Sequence, residues 1–170
     1  MRVNPDRQDM DQTPRTEWHV RPARPSDRTF ILGVTPRLAQ GFELPSWRTA
    51  REIVEAESAT LEEMLRSGAG RAALLVAEDA EGEPGGYVHL TVETDYFGRT
   101  FAHIGILAVR SEAEGRGAGR TLVEAAEAWA RSEGFDLVSL NVFAHNARAL
   151  ALYQRLGYTP DTLHYVKPLA

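Results

Sequence analysis

The chain has no cysteine, and Lys167 is its only lysine beside 18 arginines. Without thiols it can form no disulfide, thiolate zinc site or iron–sulfur cluster, and it has no cysteine nucleophile. No segment approaches the ~18 consecutive apolar residues of a membrane span, and the opening MRVNPDRQDMDQTPR lacks the apolar stretch of a signal peptide. A cytoplasmic protein with no membrane partner is therefore expected. Acidic residues outnumber basic ones 24 to 19, for a net charge of -5. The arginines are spread along the chain and are not interleaved with aromatics, so no nucleic-acid partner is expected either. His19, His89, His103, His145 and His164 show no ligand spacing, which predicts no metal site.

What is present suits one globular domain. The 170 residues are 43% hydrophobic and 25% charged, and a core of this size needs no covalent staple. Residues 1–15 are polar, with Pro5 and Pro14, and read as a flexible tail. Residues 16–170 read as a single domain.

Trp18 to Ala23 suggests a first strand, and Pro25-Ser26-Asp27 a helix start ahead of Phe30, Ile31, Val34 and Leu38, with Pro36 interrupting. Ser46 is the expected N-cap of a second helix that carries Trp47, Ile53, Val54, Leu61, Met64 and Leu65 and ends at Ser67-Gly68-Ala69-Gly70. Three strands follow, Ala72–Glu78, Gly86–Glu93 and Phe101–Val109, with connections short enough for antiparallel hairpins. Then come a helix over Gly117–Ser132, a strand over Leu137–Phe143, a helix over Asn146–Leu156 stopped by Gly157, and a weak last strand within Thr162–Leu169. Antiparallel strands followed by a strand-helix-strand-helix unit define a mixed α/β fold with one crossover.

Between the third strand and its helix lies Glu114-Gly115-Arg116-Gly117-Ala118-Gly119-Arg120. Three glycines on alternate positions let successive N–H groups converge on an anion at a helix N-terminus. The segment lacks the Gly-Lys-Ser/Thr ending of a P-loop. It also lacks the last glycine of a dinucleotide fingerprint, since Arg120 stands there, although Asp136 lies about twenty residues on, where a ribose-binding acid would be. An NAD-type oxidoreductase remains a rival on that ground, and a plain connector is the bland alternative.

With its flanks, this loop resembles the GNAT superfamily of N-acetyltransferases, whose pattern is Gln/Arg-x-x-Gly-x-Gly/Ala. Gly117 and Gly119 fit; Glu114 departs from it, and a carboxylate there would repel phosphate if it pointed inward. A second block, LNVFAHNARALALYQRLGY, is similar to the later family motif at Asn146, Ala149, Leu152, Tyr153, Gly157 and Tyr158. The opening VRPARPSD and the closing YVKPL also resemble family members, so the likeness runs from about residue 17 to the end. It implies a three-layer fold with helices on both faces of a central twisted mixed sheet of six to seven strands. That sheet would be splayed between strands 4 and 5, with acetyl-coenzyme A in the splay.

The resemblance also assigns roles. The pyrophosphate would lie on the N–H groups of Gly115, Arg116, Gly117, Ala118, Gly119 and Arg120, with Arg116 or Arg120 adding charge. Leu107, Ala108 and Val109 would pair with the amide-bearing arm of the cofactor as an added strand. Asn146 would help hold the cofactor, and Tyr153, a phenol of ordinary pKa about 10, would protonate the departing thiolate. Read alone, Asn146 is also a plain N-cap and Tyr153 a core aromatic. His103, in FAHIGILAV, occupies the position where some members carry a glutamate base; Glu93 and His89 are alternatives.

The implied activity is acetyl transfer from acetyl-coenzyme A to a primary amine of a small molecule or peptide. The absence of cysteine excludes an acetyl-cysteine intermediate and favours direct attack in a ternary complex. An acyl-coenzyme A sensor of the same fold without catalysis is the alternative. Acceptor contacts are expected from Gly41–Pro45, Asp95–Arg99 and Asp161–Tyr165, with Glu43, Glu93 and Asp95 suited to a cationic amine. The Tyr96-Phe97 pair reads equally as a homodimer contact.

Overall fold

A computed structural model describes residues 16–67 and 70–169. The tail expected over residues 1–15 and the Gly68-Ala69 helix stop lie outside the described residues. In chain order the elements are β1 (His19–Pro22), α1 (Arg28–Val34), α2 (Ala50–Ser67), β2 (Ala73–Glu78), β3 (Pro84–Thr94), β4 (Thr100–Val109), α3 (Ala118–Ser132), β5 (Val138–Leu140) and α4 (Ala147–Arg155). Short 3-10 turns occupy Pro25–Asp27, Thr35–Ala39 and Ser111–Ala113.

The boundaries follow from local chemistry. Pro36 has no N–H to continue α1, so the chain tightens into the Thr35–Ala39 turn. α2 starts later than the expected Ser46. Thr49 caps it instead: Glu52 N–H donates to Thr49 Oγ1 at 3.2 Å, and the Glu52 carboxylate accepts from Thr49 N–H at 2.8 Å. Asn146 caps α4 by accepting Ala149 N–H at 3.1 Å. Gly157, at φ 90°, stops it in a conformation that few other residues adopt.

The strands form one sheet in the order β1-β2-β3-β4-β5, antiparallel except for the parallel β4–β5 pair that α3 connects. The expected sheet of six to seven strands is thus five among the described residues. Thr162–Leu169 does not form the anticipated last strand. Pro160 just before that segment and Pro168 within it lack N–H donors, and no core accepts its apolar side chains: Leu163, Tyr165 and Leu169 are 73%, 86% and 87% exposed. The strand expected over Leu137–Phe143 contracts to Val138–Leu140.

Helices cover both faces. On one, Val88, Leu90 and Ile104 pack with Ala118, Leu122, Val123 and Ala126 of α3, and Tyr153 of α4 joins them. On the other, Tyr87, Ile106 and Ala108 pack with Ile31 and Val34 of α1 and Leu61 and Met64 of α2. Ile104 and Ile106 are two apart yet face opposite layers. The register explains this: Leu90 pairs with Ile104 while His89 pairs with Ile106, so Gly105 is an extra residue and β4 reverses its alternation there.

The start of the domain is fastened by a largely buried ion pair. Arg21 on β1 donates to Asp27 at 2.7 and 3.0 Å and to Glu78 on β2 at 2.5 Å. Asp27 also accepts Arg24 N–H at 2.6 Å. The hydrogen bond from Arg21 outweighs burial and holds the Asp27 carboxyl below its ordinary value of 3.8. A carboxyl depressed in the folded chain contributes stability that is complete above the unfolded pKa and is lost as pH falls through the folded one. Asp27→Asn should therefore destabilise the fold at neutral pH by about 3 kcal/mol. Its deficit in denaturation midpoint against the unaltered chain should shrink below about pH 4.

Candidate active site

β4 ends where Arg110 N–H donates to Gly85 O at 2.9 Å, and the glycine loop follows. Gly115 and Gly117 have φ of 73° and 98°, which a side chain would resist. A Cβ on Gly115 would meet nothing within 4 Å, and one on Gly117 would meet only Trp18 Cδ1, at 3.9 Å, so the loop has room above it. Among the described residues, the N–H groups of Gly115, Gly117, Ala118, Gly119 and Arg120 have no backbone acceptor. Arg116 N–H, expected to join them, instead donates inward to Ala113 O at 3.3 Å. Five unmet donors at the start of the fifteen-residue α3 form a cradle that fits a phosphate group.

The loop is held by residues that sequence reading had not linked to it. Trp18 Nε1 donates to Arg116 O at 3.0 Å. Its ring lies over Gly85, where an added Cβ would stand 2.2 Å from Cζ3. Glu114, the departure from the motif, does not face the cradle alone. Its Oε1 accepts Arg37 Nη2 at 2.5 Å, and its Oε2 accepts Arg148 Nη1. Burial alone would raise this carboxyl, but the hydrogen bonds from Arg148 and Arg37 overcome that and keep it below the usual range.

Beside the loop, β4 loses its neighbour. β5 pairs only with Ala102, His103 and Ile104, and the chain leaves the sheet after Leu140. Among the described residues, from the exposed Gly105 onward β4 pairs with β3 alone, through Ile106, Leu107, Ala108 and Val109. Leu107 and Val109 turn toward the α3 layer and Ala108 toward the α1–α2 layer.

Glu93 of β3, His103 of β4 and Ser139 of β5 meet. His103 Nδ1 lies 2.7 Å from Ser139 Oγ and its Nε2 3.6 Å from Glu93 Oε1. His103 is buried and Glu93 half exposed. Burial lowers the His103 pKa from 6.5, and Glu93 partly opposes this. His89 is lowered too, by burial and then by His103. Strand alternation puts His89, Glu93 and His103 on the α1–α2 side of the sheet. Tyr153 belongs to the opposite, α3, layer. Its ring stands edge-on to Tyr158 at 5.8 Å, and burial pushes its phenol up to about 12. Tyr153 lies on α4 and Asn146 at its N-cap, where the Asn146 side-chain Oδ1 is engaged as the helix cap.

Other candidates have structural duties. Asp95 Oδ1 accepts the N–H groups of Phe97 and Arg99, both at 2.9 Å, and so builds the β3–β4 turn. Asp136, the ribose-acid candidate, pairs with Arg99 at 2.9 Å. Arg120 pairs with Glu124 at 2.7 Å. Tyr96 and Phe97 are 98% and 90% exposed at the hairpin tip. Phe42, from the expected acceptor segment, stacks on Phe143 with ring centroids 5.4 Å apart. Among the described residues, no three or more His, Asp or Glu side chains gather as a metal site, and no helix is long and apolar enough to cross a membrane. Ser139, Trp18, Arg37 and Arg148 escaped sequence reading because their partners are distant in the chain.

The Acetyltransferase (GNAT) family profile matches residues 39–158, and the chain belongs to that family. Over 59 residues it is 46% identical to a mycothiol acetyltransferase of Beutenbergia cavernae, a match covering 35% of this chain and 20% of that protein. The chain thus spans about a fifth of that relative's length. In fold it is similar to a Pyrococcus furiosus protein of proposed acetyl transferase activity, with a TM-score of 0.70 at 24% identity over 90% of this chain and all of that one. It is also similar to the aminoglycoside N-acetyltransferase AAC(6')-Iy in complex with CoA, with a TM-score of 0.67 at 19% identity over 91% of this chain and 97% of that one.

Two outcomes test this geometry. Gly85→Ala should displace Trp18 and destabilise the protein by about 2 kcal/mol in chemical denaturation. In an NMR titration, His103 should titrate below 6.5, and Glu93→Gln should lower its midpoint further by removing the opposing charge.

Proposed function

We propose that the chain binds acetyl-coenzyme A and transfers the acetyl group to a primary amine of a small molecule or peptide. The observation that carries this is the cradle of five unmet N–H groups abutting the stretch of β4 that has lost its neighbour. Family membership and the fold shared with a CoA-bound acetyltransferase support it. The mycothiol acetyltransferase likeness supports acetyl transfer rather than a particular acceptor, because so little of that protein is matched.

Bound acetyl-coenzyme A would supply an acetyl group activated as a thioester. The amides of Gly115 and of Gly117 to Arg120 bind the phosphates, aided by the α3 dipole. The open edge of β4 at Leu107, Ala108 and Val109 takes the amide-bearing arm as an added strand. His103 accepts the acceptor's proton at Nε2, the nitrogen nearer Glu93, while Ser139 fixes the ring through Nδ1. A base whose pKa is pushed down is unprotonated, hence ready, at neutral pH. From the opposite layer Tyr153 donates its phenolic proton to the leaving sulfur; with its pKa pushed up to about 12 it is fully protonated throughout the physiological range. Proton removal and delivery are thereby assigned to opposite faces of the sheet, in keeping with direct attack.

A thiol-release assay over a panel of primary amines tests the reading. Tyr153→Phe should retain coenzyme A binding and lose about a hundredfold in kcat. With the unaltered chain, kcat/KM should rise as pH passes upward through the depressed His103 pKa and then level off. Full turnover by Tyr153→Phe would remove the phenol from its assigned role. Coenzyme A binding without turnover on any amine would favour a binding domain over an enzyme.

A further inference from the structure

The carboxylate at Glu114 draws together two cations from separate elements. Arg37 comes from the 3-10 turn after α1 and Arg148 from the first turn of α4, and both donate to Glu114, the residue next to Gly115. Two guanidiniums against the Glu114 carboxylate leave an excess of positive charge within this contact, although Glu112 of the preceding turn also feels Arg37. The Arg37 side chain is further held by Nη1 donating to Gln40 at 2.9 Å, while its Nε is buried with no partner among the described residues. The Arg148 side chain is 61% exposed, so turning it toward a ligand unpacks nothing. Of the arginines within the loop, Arg120 is already paired with Glu124.

We propose that Arg37 and Arg148 are side-chain ligands of the cofactor's phosphates, and that Glu114 is their internal counter-ion, ceding them to a phosphoanhydride seated on the neighbouring amides. The inference rests on the reading of this loop as a coenzyme A site. Guanidinium suits the task because its planar donors match phosphate as well as carboxylate oxygens. On this account the acidic residue does not weaken the site. It gathers the cations from two flanking elements and holds them until the phosphate arrives.

Calorimetric titration with coenzyme A, and with acetyl-pantetheine as a phosphate-free probe, tests this on the full chain. Arg148→Ala and Arg37→Ala should each weaken coenzyme A binding about tenfold, or about 1.4 kcal/mol, and leave acetyl-pantetheine unaffected. The deciding comparison repeats both changes in a Glu114→Gln background. If the arginines touch phosphate, their loss still weakens binding there; if they only neutralise Glu114, the effect vanishes and the proposal is overturned. Arg148→Lys and Arg37→Lys, which keep the charge, serve should an alanine variant melt below the assay temperature, and each should weaken coenzyme A binding by less than tenfold. Lysine variants that lose affinity for acetyl-pantetheine equally would also overturn the proposal. Absence of coenzyme A binding by the unaltered chain would instead overturn the functional reading, and this inference with it.

Discussion

β4 has a neighbour on its β5 side for only three residues, and the candidate site follows from that shortage. Main-chain donors and acceptors seek partners, so a strand whose ladder stops early offers a ready edge for a ligand with amides of its own. The extra residue at Gly105 falls where the ladder ends. Beyond it the side chains of β4 exchange faces, which lets Leu107 and Val109 meet the α3 layer while His103 stays with the other. A gap in the ladder and a reversal of alternation thus coincide at one point, and the two groups assigned to proton transfer lie in the layers on either side of it.

An open loop of glycines would be a poor binding site if it moved freely, since glycine loses more conformational entropy on ordering than any other residue. Here the order comes from outside the loop. Trp18 fastens it from just before β1, and at Gly85 the indole occupies the space a side chain would need. Arg37 and Arg148 hold Glu114 from two further directions. The main-chain amides can then remain unpaired without the loop collapsing onto them.

Much of this was legible in the sequence, and the division is physical. Local signals are legible: the hairpin strands from alternation, α3 from its apolar stripe, the ends of α4 from Asn146 and Gly157, and the tight strand-to-helix turn from three spaced glycines. The α2 cap moved from Ser46 to Thr49 because Glu52 stands where it completes a reciprocal pair. Non-local facts were not legible. Trp18 and Arg116 are 98 positions apart, and nothing in either residue announces the other. Glu114 read as a misplaced charge only because its two cationic partners lay in distant segments. The missing last strand shows the reverse error, since YVKPL has the composition of a strand but finds no strand beside it.

The scarcity of lysine gains a meaning beside a thioester donor. A protein that holds an activated acetyl group is itself a crowd of competing nucleophiles, and the side-chain amine is the usual casualty. Guanidinium stays protonated and does not compete. On the proposed reading, a chain with 18 arginines and one lysine would carry its positive charge in a form that a bound thioester does not acetylate. The exception, Lys167, stands in the exposed terminal segment past α4, where its modification would leave the packed layers untouched.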